Sequence, residues 1–210
     1  MEGWLEKLAG SPLPRNPLVV DGGANKGAVT ARLLDALPGA RVAAFEPQPR
    51  LARKLAKRFR DEPRVTVTAA ALGEREDNLP LAIMRRPTLS SLLAPTGIRD
   101  KYAGEDLPIT ETVVVPVVRL DAALGHADVI KLDVQGAELP ALRGASGLLS
   151  EVAAVVAETA LYPLYAGQAL APELEAYLEG YGFVMVGLYD CYRDASGRIA
   201  SGDALFVREG

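Results

Sequence analysis

The residues best able to do chemistry lie where short apolar runs end. The segment Asp21-Gly22-Gly23-Ala24-Asn25-Lys26-Gly27 closes the run 18–21 and opens a stretch with Val29, Leu33, Leu34 and Leu37 near helical spacing. A glycine-rich turn between a buried strand and a helix lets a ligand approach the backbone closely. Three ligands compete for it, besides the plainer reading of a tight turn that serves only the fold. A phosphate loop requires Lys and Ser or Thr after its second glycine, and Ala28 and Val29 stand there instead. A dinucleotide fingerprint is nearer, since Gly22, Ala24 and Gly27 match G-x-G-x-x-G with one substitution. Asp21 weighs against it. A carboxylate at the strand tip repels a pyrophosphate but attracts a ligand that carries an ammonium and a sulfonium.

Glu46 ends the next apolar run, 25 positions after Asp21. An acid there can accept hydrogen bonds from both hydroxyls of a ribose, with Pro47 and Gln48 placed to flank an adenine. Taken alone, Glu46 also reads as an acid near a helix start. Paired with Asp21, it favours S-adenosylmethionine over NAD.

Methyl transfer is an in-line displacement, so the protein must position a nucleophile and remove its proton. Asp133, after Val-Ile-Lys-Leu, and Glu158, closing Val-Ala-Ala-Val-Val-Ala, stand on adjacent strand tips. They are the expected catalytic pair, Asp133 the better-placed candidate and Glu158 the second, as base and orienter or as joint ligands of a magnesium-type divalent cation. Asp133 is also expected beside the cofactor, and Glu138 is close enough in sequence to join them. A turn or capping acid is the plainer alternative for each. His126 precedes its strand and so falls at the edge opposite the ligand. Ser90 and Ser91 lie in a loop-like stretch that could fold over the cofactor. Tyr162, Tyr165, Tyr189 and Tyr192 are candidates for an acceptor pocket or for plain packing.

The elements that would position these residues alternate. Runs at 18–21, 41–46, 65–71, 129–132 and 152–157 read as strands, separated by helical patterns that include 50–60, 139–149 and 172–181. That rhythm predicts a doubly wound, mostly parallel sheet with helices on both faces. The last two runs, 183–189 and 204–208, are joined by a short turn-containing link and must therefore be antiparallel. Residues 1–17 read as a short lead-in and 18–210 as one domain, with 79–118 an irregular insert that holds a possible strand at 79–84, a loop-like TLSSLLAPTG and a strong β run at 112–118, and that could serve as a lid or acceptor region.

The 210 residues are 49% hydrophobic with a net charge of -4, enough for one sizeable core and unlike a generic nucleic-acid binder. The basic residues of 50–60 surround an apolar stripe, as on a solvated helix face. Cys191 is the single cysteine and reads as a partly buried thiol. No apolar run reaches the ~18 residues of a membrane span. A cytoplasmic protein is expected.

The ordered series DGGANKGAVT, AFEPQP, AALG, TLSSL, VPVVRLD and IKLDVQGAE, with the tail motifs PLYAGQ, GLYDCYRD and DALFVR, resembles FkbM-type methyltransferases over 18–208. The resemblance implies a seven-stranded class I methyltransferase fold. It implies methyl transfer from S-adenosylmethionine, usually to a hydroxyl oxygen of a small molecule or sugar. It places Asp21, Gly23, Ala24, Asn25, Gly27 and Glu46 on the cofactor, and Ala71 and Leu72 beside the adenine through their backbone. Gln135 stands where many relatives have Glu, so a carboxylate is missing here. A cofactor-binding partner without catalysis, a protein or RNA methyltransferase and an NAD-dependent oxidoreductase are the alternatives.

Overall fold

The computed structural model describes residues 3–102 and 104–208; Met1, Glu2, Ala103, Glu209 and Gly210 lie outside the described residues. Seven strands form the main sheet: β1 (Leu18–Gly22), β2 (Arg41–Phe45), β3 (Val65–Thr68), β7 (Val129–Leu132), β8 (Ala154–Ala160), β9 (Phe183–Arg193) and β10 (Ile199–Arg208). Their spatial order is β3-β2-β1-β7-β8-β10-β9. β1, β2, β3, β7 and β8 pair in parallel, and β10 runs antiparallel to both its neighbours. The expected sheet and its closing hairpin are both present.

The central strands β1 and β7 are buried on both faces, which is why their sequences are nearly continuous apolar runs. Alternate residues divide between two cores. On one face Val19, Val42, Ala44 and Val129 meet Leu33 and Leu34 of α2 (Ala28–Ala36), Leu55 of α3 (Pro49–Arg58) and Trp4, Leu5 and Leu8 of α1 (Trp4–Ala9). The lead-in is therefore part of the core. On the other face Val20, Phe45, Ile130 and Leu132 meet Leu139 and Leu142 of α6 (Glu138–Arg143), Leu174 and Leu178 of α7 (Ala171–Glu179) and Leu120 of α5 (Leu120–Ala123).

Two readings need revision, and one is extended. The run 65–71 divides: β3 ends at Thr68, and β4 (Ala71–Leu72) belongs to a second sheet. The two strands expected inside the insert, at 79–84 and 112–118, are both present and slightly longer. These strands, β5 (Asp77–Met84) and β6 (Ile109–Val118), pair antiparallel, and β4 joins the far side of β6. Between them lie a 3₁₀ turn, Pro87–Leu89, and the short helix α4 (Ile98–Lys101). The helix expected over 139–149 stops at Arg143, and Gly144 follows it because its hydrogen fits against the Gly73 carbonyl where a side chain cannot.

The chain leaves β3 at one edge and returns to place β7 on the other side of β1. That reversal opens a crevice at the carboxyl ends of β1 and β7, the topological switch point where doubly wound sheets bind ligands.

Candidate active site

A cavity of about 320 Å³ occupies this crevice, within the range of small-molecule sites. Its floor is the turn after β1. Asn25 adopts φ 52° and Gly23 φ 78°, so the chain curls and leaves backbone facing the opening. At Gly23 an added Cβ would collide with the Asp133 carbonyl oxygen at the end of β7. Glycine is required there by geometry and by contact.

Of the expected cofactor residues, Gly23, Ala24 and Asn25 of this turn line the cavity, as do Glu46 and Pro47 at the tip of β2. Ala71 and Leu72 line it from β4, with Ser91 from the insert and Asp133 from the end of β7. Asp21, Gly22 and Gly27 do not reach the wall. A side chain at Gly27 would strike Phe59, and one at Gly22 would press on Leu132 and Leu72, so both glycines serve packing. Asp21 is fully buried. Its Oδ2 accepts a hydrogen bond from Thr30 Oγ1 at 2.6 Å, and its Oδ1 lies 3.5 Å from Lys131 Nζ. The expected repulsion of a pyrophosphate by Asp21 is thus largely cancelled by a lysine two residues before Asp133.

Glu46 is also almost wholly buried, yet it borders the cavity. Its two oxygens accept the backbone N–H groups of Asn25 and Gln48, each at 2.8 Å. Burial pushes its pKa up and these two donors pull it down, with a net rise. The carboxylate is held rigidly by the turns on either side and retains lone pairs toward the opening. The side chain of Gln48 donates to the Pro87 carbonyl at 2.9 Å and ties this tip to the insert.

The other end of the cavity is a polar network. Asp133 exposes 42% of its side chain. Glu158 exposes 20% and stands outside the cavity wall, inside β8 rather than at its tip. Gln135 joins them: Nε2 donates to Asp133 Oδ1 at 2.6 Å and to Glu158 Oε2 at 2.8 Å. Its Oε1 accepts from the Tyr165 hydroxyl at 2.7 Å, and its carbonyl accepts from Ser91 Oγ at 2.6 Å. An amide can donate to two anions at once; a glutamate in its place would repel both. On the far side, Glu158 Oε1 receives Lys101 Nζ at 3.3 Å and Ser201 Oγ at 3.2 Å. Burial and the nearby Asp133 raise the pKa of Glu158 to about 7 against the pull of Lys101. Burial, again with Asp133, raises Asp203 on β10 to about 6.

Several candidates fall elsewhere. Glu138 is buried and turned back on its own loop, accepting N–H groups of Val134 at 3.0 Å and Gly136 at 3.0 and 3.2 Å. Burial pushes its pKa to about 8. His126 pairs with Asp128 at 3.0 Å, and Asp128 accepts the Leu18 N–H at the start of β1, the edge away from the cavity. Tyr165 is buried, Tyr189 packs on the first core, and Tyr162 lies 3.3 Å from Asp194. Tyr192 packs against Tyr102 with the rings tilted by 54° and centroids 5.0 Å apart, beside Lys101. Cys191 is exposed rather than partly buried. Ser90 lines the cavity, and its hydroxyl accepts the Met84 N–H. Among the described residues no group of three or more His, Cys, Asp or Glu side chains is arranged to hold a metal ion, and no helix is long and apolar enough to cross a membrane.

Among the wall residues that carry no site assignment from sequence, Lys131 and Gln135 matter most. Lys131 passed as one polar residue in a buried strand, although a lysine in such a run is itself a signal of a special partner. Gln135 was noticed only as an absent acid.

Residues 21–185 match the model of the methyltransferase FkbM domain. The chain belongs to the FkbM methyltransferase family. Its relatives include methyltransferase sdnD of Sordaria araneosa, 31% identical over 201 residues, covering 81% of this chain and 75% of that protein. Among solved structures, the FkbM methyltransferase of Methylobacillus flagellatus superposes with a TM-score of 0.61 at 20% identity, over 92% of this chain and 44% of that one. This FkbM chain therefore spans less than half the length of that solved relative. The magnesium protoporphyrin IX methyltransferase of Synechocystis, solved with bound S-adenosylmethionine, gives 0.56 at 16% identity, over 98% of this chain and 75% of that one. At such identities the likeness extends to the fold, that of the class I methyltransferases.

Proposed function

We propose that this FkbM-family chain is an S-adenosylmethionine-dependent O-methyltransferase acting on a hydroxyl of a small molecule or sugar-containing metabolite. The observation that carries the reading is the cavity's division into two unlike ends. Glu46, a fixed carboxylate suited to a ribose diol, stands beside the apolar Ala71, Leu72 and Leu81, which suit an adenine. The opposite end presents the exposed carboxylate of Asp133. The exposed carboxylate of Asp133 opposes a pyrophosphate, so the charge argument against NAD passes from Asp21 to Asp133, whereas Glu46 suits the ribose of either cofactor.

When bound, the cofactor supplies an electrophilic methyl group. Glu46 and the turn Gly23–Asn25 hold its adenosine part, and Asp133 faces its amino-acid end. Glu158 lies beyond Asp133 and is the candidate base for the acceptor hydroxyl, since a carboxyl near pKa 7 is tuned for proton removal at neutral pH. Gln135 holds the two acids in fixed relation, and Lys101 and Ser201 steady the other oxygen of Glu158. The acids around this end, Asp203 included, disfavour a nucleic-acid phosphate backbone as acceptor and suit a neutral, hydroxyl-bearing one.

Isothermal titration with S-adenosylmethionine, S-adenosylhomocysteine and NAD tests the cofactor. Binding of both adenosyl compounds and not of NAD is expected; preference for NAD would end the reading. Release of S-adenosylhomocysteine across a panel of sugars, polyols and polyketide alcohols tests the acceptor. Turnover confined to RNA or protein would replace the proposed acceptor class.

A further inference from the structure

Lys131 is the least expected residue of the buried sheet. It occupies the third position of β7, a strand whose other residues are Val129, Ile130 and Leu132, and its side chain is 4% exposed. Burying an ammonium costs several kcal/mol, about what only close partners can return. Those partners are near but not close. Asp21 Oδ1 stands at 3.5 Å and Asp133 Oδ2 at 3.9 Å, beyond the ~2.7–2.9 Å of a charge-assisted N–H···O bond. Among the described residues, Asp21 Oδ1 is a buried oxygen without a hydrogen bond. Burial pushes the lysine pKa down, but Asp21 and Asp133 together outweigh it and keep the group charged. A charged, buried and under-bonded ammonium thus borders the cavity.

The register explains the placement. Lys131 is paired with Asp21 across β1 and β7, directly beneath the turn, and Asp133 lies two residues further along the same face. Gln135 occupies Asp133 Oδ1, which leaves Oδ2, the oxygen nearer the lysine, for another partner. The wall therefore offers one cation and one anion side by side, with donor and acceptor capacity to spare. A group carrying only negative charge would gain from Lys131 and lose to Asp133, and a purely cationic group the reverse. A carboxylate and an ammonium on the same carbon satisfy both.

We propose that Lys131 and Asp133 form a zwitterion-reading pair for the amino-acid end of the cofactor, Lys131 taking the α-carboxylate and Asp133 the α-ammonium. This rests on the adenosyl cofactor proposed above. It makes Lys131 a specificity residue that admits adenosyl ligands with an intact amino-acid tail over tail-less ones.

The test is isothermal titration of wild type, Lys131→Met and the double variant Asp21→Asn/Lys131→Met with two probes. S-adenosylhomocysteine carries the zwitterion, and 5′-methylthioadenosine lacks it. The double variant removes both buried charges, so it guards against a single variant that fails to fold for want of a partner to Asp21. Loss of at least 30-fold in affinity for S-adenosylhomocysteine is expected, with less than threefold change for methylthioadenosine. Equal loss for both probes, or no loss for either, overturns the pair while leaving the cofactor reading intact. A wild-type chain that binds neither S-adenosylmethionine nor S-adenosylhomocysteine removes the cofactor reading, and the pair with it. A structure of the wild-type chain with S-adenosylhomocysteine must place Lys131 Nζ within hydrogen-bonding distance of the α-carboxylate; a carboxylate held elsewhere overturns the proposal whatever the variants do.

Discussion

The two ends of the cavity are built on different physical principles. At the Glu46 end, backbone fixes the carboxylate: two N–H groups hold it, and the positive φ of Gly23 and Asn25 sets the turn beside it. At the Asp133 end, side chains hold side chains. Asp133, Gln135, Glu158, Lys101, Tyr165 and Ser201 form one chain of hydrogen bonds drawn from β8, β10, the insert and the loop after β7. The first arrangement is rigid and short in sequence reach; the second is tunable and spans the molecule. Binding can be entrusted to a local motif, whereas proton handling needs groups that shift one another's pKa.

The sharpest way to break this division is Glu158→Gln. Methyl transfer to an accepted hydroxyl should fall by about 10²–10⁴-fold, while affinity for S-adenosylhomocysteine stays within threefold by titration. Loss of binding instead would mean that the two ends are not separable. In wild type the same assignment requires an ionised Glu158, so the rate should rise with pH through about 7 and lose that limb in the variant.

Gly23→Ala attacks the joint between the ends. The left-handed φ and the collision with the Asp133 carbonyl should cost ~1–3 kcal/mol of stability in urea unfolding, with cofactor affinity reduced as well. Unchanged stability would show that the turn can relax away from β7.

Glu46→Gln probes the backbone-held end alone. One of its two N–H contacts must then face an amide N–H, and a charged acceptor for the ribose is lost. Affinity for S-adenosylhomocysteine and for methylthioadenosine should drop together by about 10–100-fold, the worth of hydrogen bonds to a charged group. A drop confined to the first ligand would misplace Glu46.

A further test concerns stability against pH. Glu138, at about 8 in the fold, lies well above an exposed carboxyl. Between its unfolded and folded pKa values the native state holds the proton more tightly, so its contribution is fullest in acid and fades as pH rises to about 8. Glu138→Gln should flatten the decline in unfolding free energy between pH 5 and 8 by on the order of 1 kcal/mol per pKa unit removed. A curve as steep as wild type would assign the decline to Glu158 and Asp203.

Legibility follows the same line as the chemistry. Glu46 and Asp133 are legible because each terminates an apolar run, and ends of parallel strands converge on one edge of the sheet; Asn25 comes only from the family resemblance. Ala71 and Leu72 were expected in the wall, although the strand that carries them was misassigned. Asp21 was misjudged because strand position cannot say whether an acid is free or already partnered. Lys131 faces it only across the β1–β7 register, 110 residues away in the chain. Glu158 was found, but at a strand tip it does not occupy, and its partners Lys101 and Ser201 carried no signal of pairing.

By itself the sequence determined the alternation of strands and helices, the antiparallel finish, the ordered family motifs and the turn that shapes one end of the cavity. These depend on periodicity and on glycines, which act over a few residues. Only the tertiary structure decided which carboxylates are spoken for and which face the cavity. That choice depends on distance and desolvation between groups far apart in the chain, and no local pattern encodes either.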